Sequence, residues 1–377
     1  MGTKYVWSAV LAVVIGCGIL TGCGKSSSSS GSSAGALFVT TQGDTLVSAF
    51  HVDLGNGRLS TNGNGVATGS APAAMVMVPS GDAAFVANSQ CVGGSTECDS
   101  VSGYTVNADG TLTASGTQAV GTRPVALAVN AAGTLLFVAN QGSDKISVFT
   151  IQSGTTLSEV SGSPFPTGAN PVALAVAPSG NFLYVANSVA GTVSVYTVDS
   201  AGVLGPVPGS PFTGTTATAP AGVAVAASGN YVYVTNSGSN NVSAFAACIT
   251  VSSVCPAADG SLVEITGSPF ATPGLGPTSL AITPSGDFMY VVDTQSNQVS
   301  EYRVSTASGG LTPTSPTSIV STGARPVWVA IHPDGTWLYV ANFDGASISG
   351  FKINPSGVLG PLTPVSTGGQ PSAIALK

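Results

Sequence analysis

Four side chains are the most suitable in this sequence for binding a small molecule: Arg123, Asp293, Arg325 and Trp328. A guanidinium can hold a carboxylate or a phosphate through paired hydrogen bonds. An indole three residues further along could stack on the ligand. Arg325 and Trp328 together therefore suit an anionic or sugar-like ligand. The alternative is that Trp328 plugs a channel in the fold and that Arg325 pairs with an acidic loop residue.

These residues stand out because the chain repeats one unit and each of them departs from its counterparts. The unit is clearest at residues 171–199, PVALAVAPSGNFLYVANSVAGTVSVYTVD. Close copies begin at Pro72, Pro124, Pro220, Pro277 and Pro326. An aromatic residue marks the second apolar run of each copy, in the series Phe38, Phe85, Phe137, Tyr184, Tyr233, Tyr290 and Tyr339. The markers lie 47 to 57 residues apart, a period typical of propeller blades.

Each unit contains four runs with the alternation of β-strands, which we call strands A to D. In the clearest copy we expect them at residues 172–176, 182–186, 192–198 and 204–207. The first marker lacks a strand A, whereas residues 371–376 form a strand A with nothing after it. Joined, the two ends complete a seventh blade. We therefore predict an all-β fold, a seven-bladed β-propeller of four-stranded blades, closed by pairing the C-terminal strand with the N-terminal hairpins.

The predicted propeller covers residues 36–377. Its blades share the repeated pattern and lie near residues 36–70 plus 371–377, 72–119, 124–168, 171–215, 220–273, 277–322 and 326–367.

The connectivity of a propeller decides which residues reach the central channel. The D–A and B–C loops lie on one face, where ligands usually bind, and the A–B and C–D turns lie on the other. Arg123 and Arg325 each precede the proline of a strand A, so they belong to the first face. Trp328 occupies a strand A position with small counterparts elsewhere, namely Ala74, Ala126, Ala173, Gly222, Ser279 and Ala373. An indole there must fill or cap the channel.

The recurring LYVAN segment, the x-P-S/D-G turn and the VSVY strand resemble the YVTN-type and lactonase-like seven-bladed propeller families. The lactonase-like group implies enzymes of the 6-phosphogluconolactonase or muconate-cyclising kind. The YVTN group implies surface or binding proteins without known chemistry. A lactonase would need a base for water and a group that stabilises the oxyanion. Asp293, Asp344 or Glu301 could be the base, and Arg325 could stabilise the oxyanion.

The titratable residues give an enzyme limited support. His332 falls in an A–B turn, and His51 lies in a column shared with Arg303 and Lys352, so neither is placed for acid–base chemistry. No alternating acidic run resembles a calcium loop, and we expect neither a metal nor a cofactor. Only 7% of the residues are charged and the formal net charge is −7, which argues against nucleic-acid binding.

The N-terminus has the pattern of an export signal. Lys4 precedes a short apolar run, and the segment Leu20-Thr21-Gly22-Cys23 looks like a bacterial lipobox. We expect cleavage after residue 22, a lipid on Cys23, and a Ser/Gly-rich tether through residue 35. The protein would then be anchored in the bacterial cell envelope, facing the periplasm or the exterior. The alternative is an ordinary signal peptide whose cysteine is incidental.

Four other cysteines form two local pairs, Cys91 with Cys98 and Cys248 with Cys255. An exported protein can form disulfides, and each spacing suits a staple across one loop. A zinc site would need four ligands, and no histidine lies near either pair in the sequence. We therefore expect two disulfides.

Two functions remain open from the sequence. The first is a lipid-anchored, monomeric propeller that binds a protein, a glycan or a small lactone. The second is an exported, metal-independent lactone hydrolase, a carboxylic ester hydrolase that resembles 6-phosphogluconolactonase.

Overall fold

The computed structural model describes residues 34–89, 99–315 and 317–377. Every regular element in these ranges is a β-strand. The described residues contain no helix that is long and apolar enough to cross a membrane. The strands form seven antiparallel sheets, each with four main strands. The innermost strands of neighbouring sheets contact one another around a closed ring. The predicted seven-bladed β-propeller is confirmed.

The strands are numbered along the chain, and blade 1 combines the first four with the last. Its strands are β1 (Ala34–Gln42), β2 (Leu46–Asp53), β3 (Leu59–Thr61), β4 (Val66–Ala67) and β33 (Gln370–Leu376). Blade 2 has β5 (Pro72–Met77), β6 (Ala83–Asn88), β7 (Ser100–Val106) and β8 (Leu112–Ala119). Blade 3 has β9 (Pro124–Val129), β10 (Leu135–Asn140), β11 (Lys145–Ile151), β12 (Leu157–Glu159) and β13 (Phe165–Pro166).

The remaining blades follow the same order from the channel outward. Blade 4 has β14 (Pro171–Val176), β15 (Phe182–Asn187), β16 (Thr192–Val198) and β17 (Leu204–Pro206). Blade 5 has β18 (Pro220–Val225), β19 (Tyr231–Asn236), β20 (Asn241–Ala247), β21 (Leu262–Glu264) and β22 (Phe270–Ala271). Blade 6 has β23 (Pro277–Ile282), β24 (Phe288–Asp293), β25 (Gln298–Val304), β26 (Leu311–Pro313) and β27 (Ile319–Ser321). Blade 7 has β28 (Pro326–Ile331), β29 (Trp337–Asn342), β30 (Ser347–Ile353), β31 (Leu359–Pro361) and β32 (Val365–Ser366).

The two ends of the propeller pair as the sequence predicted. β33 is antiparallel to β1, with Leu376 opposite Leu37 and Ile374 opposite Val39. The first strand begins at Ala34, two residues before the expected start of the propeller. β33 thus covers the inner edge of β1 and gives blade 1 the innermost strand that the other blades have.

A β-bulge next to the first proline of the inner strand recurs in every blade. In blade 7, for example, Pro326 pairs with Asn342 but Trp328 pairs with Ala341, so Val327 is the extra residue. The bulged residues all line the central channel, and they are Ala73, Val125, Val172, Ala221, Thr278, Val327 and Ser372. The bulges therefore place one equivalent residue of each blade in the wall of the channel.

The asparagine at the end of the second strand is part of the scaffold. Asn140 Nδ2 donates to Ser147 Oγ at 2.9 Å, and Asn342 Nδ2 donates to Ser349 Oγ at the same distance. In both cases the partner is a serine on the third strand of the same blade. These buried bonds tie the end of the second strand, where the B–C loop begins, to the third strand.

The disulfide between Cys248 and Cys255 is confirmed, with 5.1 Å between the two Cα atoms. It closes the loop after β20, on the face opposite the Arg325 loop. The predicted Cys91–Cys98 pair and the lipobox around Cys23 lie outside the described residues.

Candidate functional site

A cavity of about 540 Å³ occupies the central channel. Its walls are the bulged residues and their neighbours on the inner strands, and its mouth includes Gln42, Ser188, Arg325 and Phe343. The mouth thus lies on the face of the B–C and D–A loops, where the sequence placed it. A volume in this range is typical of small-molecule sites.

Arg325 is held at the mouth by an unusual backbone conformation. Its φ of 50° lies in the left-handed region, which costs about 1 kcal/mol or more for a residue with a Cβ. The N–H of Arg325 donates to Asn297 Oδ1 of the preceding blade at 2.7 Å, and this bond offsets the strain. Arg123 repeats the arrangement in blade 3, with a φ of 58° and an N–H bond of 2.8 Å to Asp99 Oδ1.

The Arg325 side chain has two partners at the mouth. The guanidinium carbon lies 4.6 Å from the centre of the Phe343 ring, and Nη1 lies 3.4 Å from Asp344 Oδ1. The side chains of Arg325 and Asp344 are 53% and 51% exposed, so a dissolved ligand can reach both. An exposed ion pair of this kind contributes at most about 1 kcal/mol. The pairing with an acidic loop residue that the sequence left open is present, and Arg325 also lines the cavity.

Trp328 forms one wall of the cavity. Its half-buried indole packs against the apolar clusters that include Ala74 of blade 2 and Ala373 of blade 1. The indole therefore reaches from blade 7 towards the inner strands of those blades and fills that side of the channel. Trp328 therefore partly plugs the channel and also lines its open part, and its contact with a ligand stays a prediction.

Arg123 is exposed and does not line the cavity. The sequence placed it on the same face as Arg325, as a second candidate for ligand binding. The structure keeps it on the same face but does not bring the two guanidinium groups together in this cavity.

Asp293 is fully buried and lies behind the inner strand rather than in the cavity wall. Its Oδ2 accepts a hydrogen bond from Ser300 Oγ at 2.5 Å, whereas Oδ1 has no partner among the described atoms. Burial raises the pKa of Asp293 to about 6, against the opposing effect of hydrogen bonds from Ser300 and Gln298. Asp293 takes the scaffold position that asparagine holds in five blades, and Gly274 packs closely against it.

Glu301 joins two blades. It is 2% exposed, and its Oε1 accepts the backbone N–H of Leu359 in blade 7 at 2.9 Å. Its Oε2 accepts Thr314 Oγ1 of blade 6, also at 2.9 Å. Both carboxylate oxygens are thus used in the scaffold, and Glu301 does not line the cavity. Among the predicted bases, Asp344 is the one beside the mouth.

Phe343 is the mouth residue that the sequence analysis missed. Its position, directly after the second strand of each blade, is polar elsewhere: Gln42, Ser89, Gln141, Ser188, Ser237 and Thr294. The comparison of repeats that singled out Trp328 would have found it, because an aromatic residue breaks that column.

The remaining titratable candidates lie away from the mouth. His332 is 6% exposed in the A–B turn of blade 7, with Nδ1 2.9 Å from Asp334 Oδ1. The part of the chain that the structure describes contains no group of three or more His, Cys, Asp or Glu residues that could hold a metal ion.

Comparison with known proteins places the chain in one family. The family model described as "Lactonase, 7-bladed beta-propeller" matches residues 57–170, 155–252 and 259–373. No curated protein sequence matches significantly.

Solved structures share the fold at low sequence identity. A 6-phosphogluconolactonase candidate from Bacteroides fragilis aligns with a TM-score of 0.78 and 19% identity, over 93% of this chain and 100% of its own. The periplasmic gluconolactonase PpgL from Pseudomonas aeruginosa aligns with a TM-score of 0.77 and 21% identity, over 91% and 99%. At these identities the similarity shows the fold.

Proposed function

The chain belongs to the family of seven-bladed β-propeller lactonases, and on this premise we propose that it is a binding propeller whose channel mouth holds a small acidic or lactone ligand. The observation that carries the proposal is the placement of Arg325 on the Phe343 ring at the mouth of the cavity that Trp328 walls. An exposed guanidinium beside aromatic surface suits a carboxylate or an acyl oxygen on a compact ligand.

Binding is favoured over catalysis by the positions of the carboxylates. A general base must come within hydrogen-bond reach of the water that it activates. Asp293 and Glu301 are buried and line no part of the cavity, and Glu301 has both oxygens hydrogen-bonded. Of the three predicted bases, Asp344 is the one that lies beside the mouth.

Lactone hydrolysis is the second candidate function, and one contact favours it. Asp344 Oδ1 lies 3.4 Å from Arg325 Nη1, so a carboxylate base and a cation for the oxyanion would be adjacent. In this alternative Asp344 takes a proton from water, the resulting hydroxide attacks the lactone carbonyl, and Arg325 stabilises the oxyanion. As the ring C–O bond breaks, Asp344 returns the proton to the departing ring oxygen, which leaves a hydroxy acid. The name of PpgL, a periplasmic gluconolactonase, supports such a substrate class.

Measurements on the purified full chain separate these functions. Hydrolysis and binding are followed across a panel of lactones and the corresponding acids. Binding without turnover supports the binding propeller. Turnover that disappears in Asp344→Asn supports the hydrolase, and a chain that neither binds nor hydrolyses any member contradicts both.

The proposed location is the cell envelope, with a lipid on Cys23 as the membrane partner and the propeller as a monomer. The Leu20–Cys23 pattern supports the anchor, and the Cys248–Cys255 disulfide suits an oxidising compartment. Cys23→Ser should move the protein from the membrane fraction to the soluble fraction. Retention of the variant in the membrane fraction would contradict the anchor.

A further inference from the structure

We propose that the ligand of the channel mouth has an apolar body and a single acidic or lactone head, in contrast to a sugar phosphate. This inference rests on the proposed function, and it concerns the chemical class of the ligand. It follows from the charges, the hydrogen bonds and the apolar surface of the cavity.

The charge at the mouth suits one weak anion or an uncharged carbonyl. Among the described residues of the cavity wall, Arg325 is the one charged side chain, and it already faces Asp344. A phosphate ester carries nearly two negative charges and is usually held by several cations or backbone donors. A single guanidinium shared with a carboxylate matches a monoanionic or lactone head instead.

Several polar side chains of the wall are already committed to the scaffold. Four polar side chains there already have hydrogen bonds within the protein, namely those of Gln42, Thr278, Ser279 and Ser372. Ser372 Oγ, for example, donates to Pro72 O at 2.6 Å. A polyol entering this cavity would lose water partners that the wall replaces incompletely, which costs about 1 to 3 kcal/mol per unsatisfied buried group.

Apolar side chains provide most of the remaining surface. Branched aliphatic residues of blades 3 to 7 line the channel: Val125, Val172, Leu174, Val223, Leu280 and Val327. The same face of the propeller carries two strongly exposed aliphatic residues, Val189 at 76% and Leu275 at 52%. Val189 follows the lining residue Ser188, and Leu275 precedes the inner strand that carries Thr278. A hydrocarbon chain or ring would bury its surface against this wall.

The test is a binding series on the purified full chain, read by calorimetry and from intrinsic tryptophan fluorescence. The probes are butanoate, hexanoate, octanoate and the γ-lactones with matching side chains, against gluconate, glucono-δ-lactone and 6-phosphogluconate. Burial of one methylene should increase affinity about fourfold until the cavity is full. The sugar-derived probes should bind more weakly than octanoate.

Two variants locate the chain of the ligand. Ala221→Phe fills the channel and should abolish the increase with chain length. Val172→Thr adds a hydroxyl with little change of shape, and should weaken octanoate binding severalfold, more than it weakens butanoate binding. An increase with chain length that persists in both variants would overturn the inference, because the chain would then bind elsewhere.

The remaining outcomes separate the two proposals. If 6-phosphogluconate or gluconate binds more tightly than octanoate and Arg325→Ala abolishes that binding, the apolar class is wrong and the proposed function stands. If no acid or lactone of either set binds, the proposed function itself fails.

Discussion

Arg325 and Phe343 stack on each other at the mouth of the channel, with 4.6 Å between the guanidinium carbon and the ring centre. The ring supports one face of the guanidinium and leaves the N–H groups in its plane for Asp344 and for a ligand. The contact joins the loop before β28 to the loop after β29, so both ends of this hairpin contribute to the site.

Removal of the ring should weaken ligand binding without unfolding the propeller. Phe343→Ser restores the type of residue found at this position in blades 2, 4 and 5, so the scaffold should tolerate it. We expect affinity for an acid to fall about threefold to tenfold, since a cation–π contact at an exposed site contributes about 0.5 to 1 kcal/mol and orders Arg325. Calorimetric titration measures the change, and Phe343→Tyr is the matched control that should keep the affinity. Equal binding by both variants would contradict a role for the ring.

Asp344 competes with an anionic ligand for Arg325. Asp344→Asn removes this competitor and the repulsion that it exerts, so affinity for a carboxylate should rise about threefold to tenfold at low salt, with a smaller gain at high salt. Asp287→Asn, in an A–B turn on the opposite face, makes the same change in net charge and should leave the affinity unchanged. A loss of affinity in Asp344→Asn would show that Asp344 helps to bind the ligand.

Asp293 should make the propeller less stable as the pH rises. Its pKa is raised from 3.8 to about 6 in the folded protein, so the folded state holds this proton more tightly than the unfolded state. The resulting stabilisation is complete below about pH 4 and is lost as the pH passes through 6. The difference corresponds to about 3 kcal/mol.

Asp293→Asn should therefore raise the melting temperature by a few degrees at pH 7.5, with a gain that shrinks towards pH 4. Asn342→Asp in blade 7 is the reciprocal control, because it places a carboxyl at the equivalent buried position. It should introduce the same loss of stability with rising pH. A gain in Asp293→Asn that is the same at all pH values would show that the carboxyl does not titrate near 6.

The fold was predictable because each blade repeats the same local signals. The proline at the start of the inner strand, the apolar strands and the markers from Phe38 to Tyr339 recur at a nearly constant period. The incomplete units at the two ends implied the pairing that β1 and β33 form. Comparison of equivalent positions also identified Arg325 and Trp328, both of which line the cavity.

The rest of the site depended on side-chain directions that the repeat does not specify. Arg123 and Arg325 share a loop position and a left-handed backbone, yet only Arg325 of the two lines the cavity. Asp293 directly precedes Thr294, the counterpart of Phe343, but its side chain points into the scaffold towards Ser300. One partner of Glu301, the N–H of Leu359, comes from β31 of the next blade, and sequence spacing alone does not indicate it.

The most direct test of the central claim is the affinity of the full chain and of Arg325→Ala for octanoate and its matching γ-lactone. We expect saturable binding by the wild type, accompanied by a change in tryptophan fluorescence, and at least a tenfold loss for octanoate in Arg325→Ala. Arg123→Ala, which removes the equivalent residue of blade 3, should bind as the wild type does. Equal affinity of Arg325→Ala and the wild type would contradict a ligand site at the mouth of this channel.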